Sequence, residues 1–185
     1  VPPGFTITTD ACRAYLQTGK APAELADEVS SHLATVEATM GRKLGDPENP
    51  LLVSVRSGAM FSMPGMMETV LNIGLNDQSV LGLADIAGER FAWDSYRRLL
   101  QMFGKTVLDI DSEVFESRIE GVKHARHVTQ DTELTAADLA GLCSQFKTAI
   151  RNTTGEAFPQ DPRAQLDAAI EAVFRSWVGE RAVLY

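Results

Sequence analysis

The residues best suited to chemistry lie between Leu51 and Val70. A short apolar run, Leu51 to Val55, leads directly into Arg56, then into small residues and a loop around Pro64-Gly65. An arginine at a strand end is held rigidly, and its planar fork can take two phosphate oxygens at once. Gly58 and Gly65 allow backbone amides to come close to a ligand, as an anion-binding nest requires. Ser57, Ser62 and Thr69 add hydroxyl donors. Together these residues have the chemistry of a polyphosphate site, although neither a Walker A pattern nor a GxGxxG is present. The same residues also read as a strand whose Arg56 pairs with a surface carboxylate, followed by Met63, Met66 and Met67 as flexible apolar filler. Residue types alone leave both readings open.

The elements that must position this stretch follow from periodicity. Thr9-Asp10 marks a helix start leading into Ala11 to Leu16. Leu25, Val29, Leu33, Val36 and Met40 recur every three or four residues, one face of a helix over 23–40. The turn-rich run Gly45 to Pro50 precedes a strand over 51–55, and Thr69 to Ile73 reads as a second strand. Residues 57–67 hold Ser, Gly, Pro and Met and do not form a regular helix. Helices are predicted over 79–87, 90–107, 112–127, 135–152 and 162–177. Thr135 and Asp138 fit a capping box. Asp161-Pro162 places an N-cap before a proline that needs no N–H. Leu166, Ile170, Val173, Phe174 and Trp177 form one apolar stripe. The expected fold is α+β and mostly helical, with an α/β part (1–76), a helical subdomain (77–160) and a return helix (161–185).

Composition narrows the partners. The 185 residues are 44% hydrophobic and 23% charged, in the globular range rather than the disordered one. No apolar run reaches the roughly 20 residues of a membrane helix. Seventeen basic against 25 acidic residues give a net charge of −8, which disfavours nucleic acid and anionic membranes while allowing one local anion site. Cys12 and Cys143 match no metal or redox spacing, so a reducing, cytoplasmic setting is expected. The apolar ends, Val1 to Phe5 and Arg181 to Tyr185, read as cuts through structure, so a piece of a longer protein is expected.

Other groups read more simply as structure. His124 and His127 have HxxH spacing but no third ligand, and His32 lies beside its helix stripe. Asp109 to Glu113 lacks the glycine of a calcium loop and reads as an acidic helix start. Arg97 and Arg98 read as a salt-bridged helix face, with a partner domain or nucleotide edge as the alternative. Cys12 and Cys143 read as small core residues.

The run Ser54-Val55-Arg56-Ser57-Gly58-Ala59, followed by Ser62 to Asp77, closely resembles the nucleotide-binding domain of the pyruvate phosphate dikinase family. Pro3 to Thr9 resembles that family's early strand and turn. Arg90 to Arg98 and Val173 to Trp177 also resemble family segments. The loop Met63-Pro64-Gly65-Met66-Met67 separates the family from phosphoenolpyruvate synthases and from antibiotic and glucan dikinases.

The resemblance implies a partial ATP-grasp-like lobe, with ATP and magnesium held between two lobes. It implies transfer of the β-phosphoryl group to a histidine on a swivelling domain of the same chain. A pyruvate-binding barrel would then receive it, for overall products AMP, phosphoenolpyruvate and pyrophosphate. By the same resemblance Arg56 contacts the nucleotide phosphates. The loop of Ser62, Met63, Pro64, Gly65 and Met66 covers them with its backbone amides, and the Thr69 hydroxyl lies near them. A glycine-rich lysine segment is expected before Val1, and the magnesium ligands beyond Tyr185. Met60 stands where the family often has Lys or Arg. The implied partners are ATP or AMP and the phosphohistidine domain, within a homo-oligomeric parent. Two other expectations stand beside this one: a related dikinase with another acceptor, and a helical interaction module that docks a partner through 77–160.

Overall fold

The computed structural model describes residues 2–58 and 69–177. The described residues form an α+β, mostly helical structure. In chain order they are α1 (Thr9–Thr18), α2 (Leu25–Met40), β1 (Lys43–Leu44), β2 (Pro50–Leu51), β3 (Val53–Arg56), β4 (Thr69–Ile73), α3 (Ser79–Ala87), α4 (Glu89–Thr106), α5 (Glu113–Arg126), a 3₁₀ turn (Asp131–Glu133), α6 (Ala136–Thr154) and α7 (Pro162–Ser176).

The helices form where periodicity and capping place them. Thr135 accepts the Asp138 amide at 3.2 Å, while the Asp138 carboxylate accepts the Thr135 amide at 3.1 Å, closing the box at the start of α6. Asp161 accepts the Arg163 amide at 3.1 Å and caps α7, with Pro162 as its first residue. α4 supplies the centre of the core. Its Ala92, Tyr96, Leu99, Leu100 and Phe103 are buried against Leu139, Leu142, Phe146 and Ile150 of α6.

The sheets are small. β1 and β2 pair in parallel, and β3 and β4 form a separate antiparallel ribbon. The expected 51–55 strand is thus divided. Leu51 belongs to the β1–β2 ladder and Val53 begins the other, with Leu52 in neither. In the ribbon Arg56 stands opposite Thr69 and Val55 opposite Val70, but Val53 stands opposite Ile73, so β4 carries one extra residue. Asn72 takes it up with φ of 60°, a conformation asparagine tolerates better than most residues. Its side chain donates to the Ser95 carbonyl at 3.1 Å and fastens the bulge to α4.

The resemblance places a strand at Pro3 to Thr9, whereas residues 2–8 have no regular structure and α1 begins at Thr9. Pro2 and Pro3 have no N–H to give a ladder, and no described strand pairs with this segment. Thr8 precedes α1 in an extended conformation and its side chain makes no cap bond.

The turn after β4 is the most heavily tied part of the chain. Gly74 has φ of 111°, and a Cβ there would lie 2.8 Å from the Leu51 carbonyl oxygen, so only glycine fits. Ser79 Oγ donates to the Gly74 carbonyl at 2.8 Å and accepts the Asn76 amide at 2.9 Å. The buried Tyr96 donates its hydroxyl to Asp77 at 2.9 Å, and Lys147 of α6 reaches the same carboxylate at 2.5 Å. Gln165 of α7 is fully buried. It accepts the Gly74 amide at 3.0 Å and donates to the Leu75 carbonyl at 2.9 Å and the Pro159 carbonyl at 2.8 Å. One amide therefore joins the end of β4 to α7 with every bond satisfied.

Replacing Gln165 with Leu leaves two buried backbone groups, of Gly74 and Leu75, and the half-buried Pro159 carbonyl without that partner. The expected cost is about 2–4 kcal/mol in urea unfolding, and a loss below about 0.5 kcal/mol would contradict this role. A second prediction concerns pH. The Thr135 hydroxyl, donating at 2.7 Å, holds the Asp138 carboxyl below the usual carboxylate range against the opposing push of burial, helped by Arg126 at 2.6 Å. A lowered folded pKa gives stability that is complete above the unfolded value near ~3.9 and is lost as pH falls through the folded value. Asp138→Asn is expected to lose less stability than the parent between pH ~6 and ~3 in urea titrations. Equal losses would contradict the assignment.

Candidate functional site

The ribbon decides where the chemistry-bearing residues stand. Arg56 is the last residue of β3 and is exposed, and Thr69 is the first residue of β4 and is half-buried. Because they are ladder partners, their Cα atoms lie about 5 Å apart. The chain leaves the ribbon at Arg56 and returns beside it at Thr69. Ser62, Met63, Pro64, Gly65 and Met66, together with Met60 and Met67, lie outside the described residues.

Arg56, Ser57 and Gly58 line a cavity of about 840 Å³, bounded by Pro2 to Thr9 on one side and by α2 and the end of α7 on the others. Its floor is mainly apolar, with Val173 and Phe174 from α7, and Arg56 is a cation on its rim. A pocket with apolar walls and one strong charge suits a ligand with a flat apolar part and an anionic tail. Thr69 is not on the lining, although it adjoins Arg56 across the ladder.

The alternative reading of Arg56 finds no partner here. Among the described residues no carboxylate forms an ion pair with it. Arg97 is the opposite case. It is buried, donates to Asp94 at 2.8 and 3.0 Å and to Gln101 at 3.0 Å, and lies 3.8 Å from Asp131. Arg98 is exposed and bonds the other oxygen of Asp94 at 3.0 Å. Both side chains are held within the fold, as a salt-bridged helix face.

The remaining candidates separate in the same way. His32, His124 and His127 are exposed, and Phe5 stacks on His32 at 5.5 Å. Asp111 accepts the Glu113 amide at 2.9 Å at the start of α5. Among the described residues no group of three or more His, Cys, Asp or Glu side chains converges as a metal site. Cys12 and Cys143 are both buried and unpaired, and burial pushes the Cys143 thiol up to about 12.

Two polar contacts near the ribbon escape a reading by residue type. Gln165 was hidden beside the apolar stripe of α7, yet it shares a face with the buried Ala169 and Ala172, and a polar residue at that spacing is a signal. Trp177 counted as the last apolar residue of the same stripe. Its indole N–H donates to Ser57 Oγ at 3.1 Å, a pairing that sequence spacing does not announce.

The profile described as pyruvate phosphate dikinase, AMP/ATP-binding domain, matches residues 17–185. The chain belongs to that family. It is 55% identical over 185 residues to pyruvate, phosphate dikinase 2 of Oryza sativa subsp. japonica, covering 100% of this chain and 21% of that protein. It is 53% identical over 186 residues to the chloroplastic pyruvate, phosphate dikinase 1 of Zea mays, and 52% identical to that of Arabidopsis thaliana, covering 20% and 19% of them. The chain thus spans about a fifth of the length of these relatives.

Proposed function

We propose that this chain forms one wall of the ATP site of a pyruvate phosphate dikinase. In this reading Arg56 grips the phosphates through its fork and Thr69 offers its hydroxyl beside it. The loop of Ser62, Met63, Pro64, Gly65 and Met66 covers the phosphates with its backbone amides, all but Pro64 having an N–H to give. The observation that carries the reading is Arg56 itself. It is exposed on the rim of the cavity, next to Thr69 in the ladder, and makes no ion pair with any described carboxylate, in a chain of the AMP/ATP-binding family.

The chemistry follows from charge. Phosphoryl transfer needs little covalent help and much positioning, because negative charge spreads over the equatorial oxygens as the group moves. A guanidinium carried at a strand end offers several donors in one planar fork, which matches the geometry of phosphate oxygens. Its contribution would be to orient the nucleotide and to neutralise that charge. The proposed whole reaction takes ATP, pyruvate and phosphate to AMP, phosphoenolpyruvate and pyrophosphate, by way of a histidine on another domain of the same chain. Magnesium accompanies ATP in this proposal, with ligands outside the described residues. The division into 1–76, 77–160 and 161–185, an ATP-grasp-like lobe, a homo-oligomeric parent and a cytoplasmic setting belong to the same proposal.

In the intact protein, Arg56→Ala is expected to slow ATP-dependent histidine phosphorylation by about 10²–10³-fold. Exchange of the phosphoryl group between phosphoenolpyruvate and pyruvate is expected to be spared. Arg56→Lys keeps the charge but loses the fork, and is expected to fall between. An alanine variant with the parent's ATP half-reaction rate would remove Arg56 from this role.

A further inference from the structure

The ladder of β3 ends at Arg56. Its pairing with Thr69 is the outermost one of the ribbon, and no described backbone partner holds the residue that follows. That residue, Ser57, is instead held from the other end of the chain. Trp177 ends the last turn of α7, its amide donating to the Phe174 carbonyl at 3.2 Å. Its indole N–H crosses to Ser57 Oγ at 3.1 Å, joining positions 120 residues apart. Both residues are half-buried and both line the cavity beside Arg56.

The chemistry of this pair is directional. An indole is a donor only, on a rigid ring whose position is fixed by the helix that carries it. A serine hydroxyl that accepts from it keeps its own proton, and Ser57 gives that proton to no described acceptor. The bond therefore fixes the backbone one residue past Arg56 and leaves an O–H on the cavity wall.

We infer that Trp177 is a positioning residue, acting through Ser57 to hold the end of β3 so that Arg56 and the Ser57 hydroxyl meet the phosphates of an entering nucleotide in one pose. This rests on the nucleotide reading of the site given above. Trp177 touches no phosphate in this account. It removes the freedom that a strand-end residue has once its ladder stops, and so lowers the ordering cost of binding.

The test uses the intact protein with ATP as the probe, in five variants: Trp177→Phe, Trp177→His, Ser57→Ala, Trp177→Phe combined with Ser57→Ala, and Arg56→Ala. Trp177→Phe keeps the apolar ring and loses the N–H. It is expected to weaken ATP binding in calorimetry about fivefold to tenfold, as the loss of one positioning hydrogen bond would. Ser57→Ala is expected to weaken it at least as much. The combined variant is expected to match Ser57→Ala within about twofold, because Trp177 has nothing left to act on. Trp177→His, which restores a ring N–H, is expected to recover part of the affinity. Phosphoenolpyruvate–pyruvate exchange is expected to be unchanged in all of them. Parent-like ATP affinity in Trp177→Phe, with Arg56→Ala weakened more than tenfold, would overturn the role of Trp177 alone. Additive losses in the combined variant would also overturn it. Parent-like affinity in Arg56→Ala would instead overturn the nucleotide reading and this inference with it. If Trp177→Phe does not fold, Ser57→Ala and Trp177→His carry the same comparison.

Discussion

A two-stranded ribbon cannot hold its shape in water without other elements covering it. Everything proposed for the site sits on such a ribbon. α4 packs against β4 and α7 packs against both strands, and Val70 and Ile73 of β4 are completely buried. The ribbon is then fixed at both ends by polar contacts from α7. Gln165 binds the turn after β4, and Trp177 binds Ser57 just past β3. Asn72 fastens the bulge between them to α4. Burial supplies the drive for this packing, and the directional hydrogen bonds of these three side chains tie the ribbon to α4 and α7.

Much of the fold is legible in the sequence because it is local. The α3, α4, α5, α6 and α7 boundaries fall within about two residues of their periodic patterns. The capping box at Thr135 and the Asp161-Pro162 start are contacts between near neighbours, which short-range chemistry determines. The same holds for the turn Gly45 to Pro50, where Asp46 accepts the Glu48 and Asn49 amides at 2.9 and 2.8 Å. The strands are less legible. Leu51 to Val55 reads as one β-prone run, and only tertiary pairing splits it between two ladders at Leu52. The extra residue at Asn72 and the loss of regular structure over 2–8 depend on partners far away in sequence.

The site divides along the same line. Arg56 and Thr69 are residue types that can bind phosphate, and the resemblance of Ser54 to Asp77 led to the family to which the chain belongs. What residue types could not reveal is that the two stand opposite each other in the ladder, or that the Arg56 end of β3 opens on a cavity bounded by the start and end of the described chain. The contacts missed, Gln165 and Trp177, are polar groups carried on an apolar helix face. Periodicity assigns such residues to the core and says nothing of the atom they bind.

The central claim is that nucleotide phosphates meet this chain at the open end of the β3–β4 ribbon. Amide hydrogen exchange on the intact protein, with and without ATP, tests it most directly. The account predicts that ATP slows exchange at residues 54–58 and 69–71, with little change along α5 and the outer face of α6. Protection confined to the helical face of 77–160, with none at the ribbon, would contradict it.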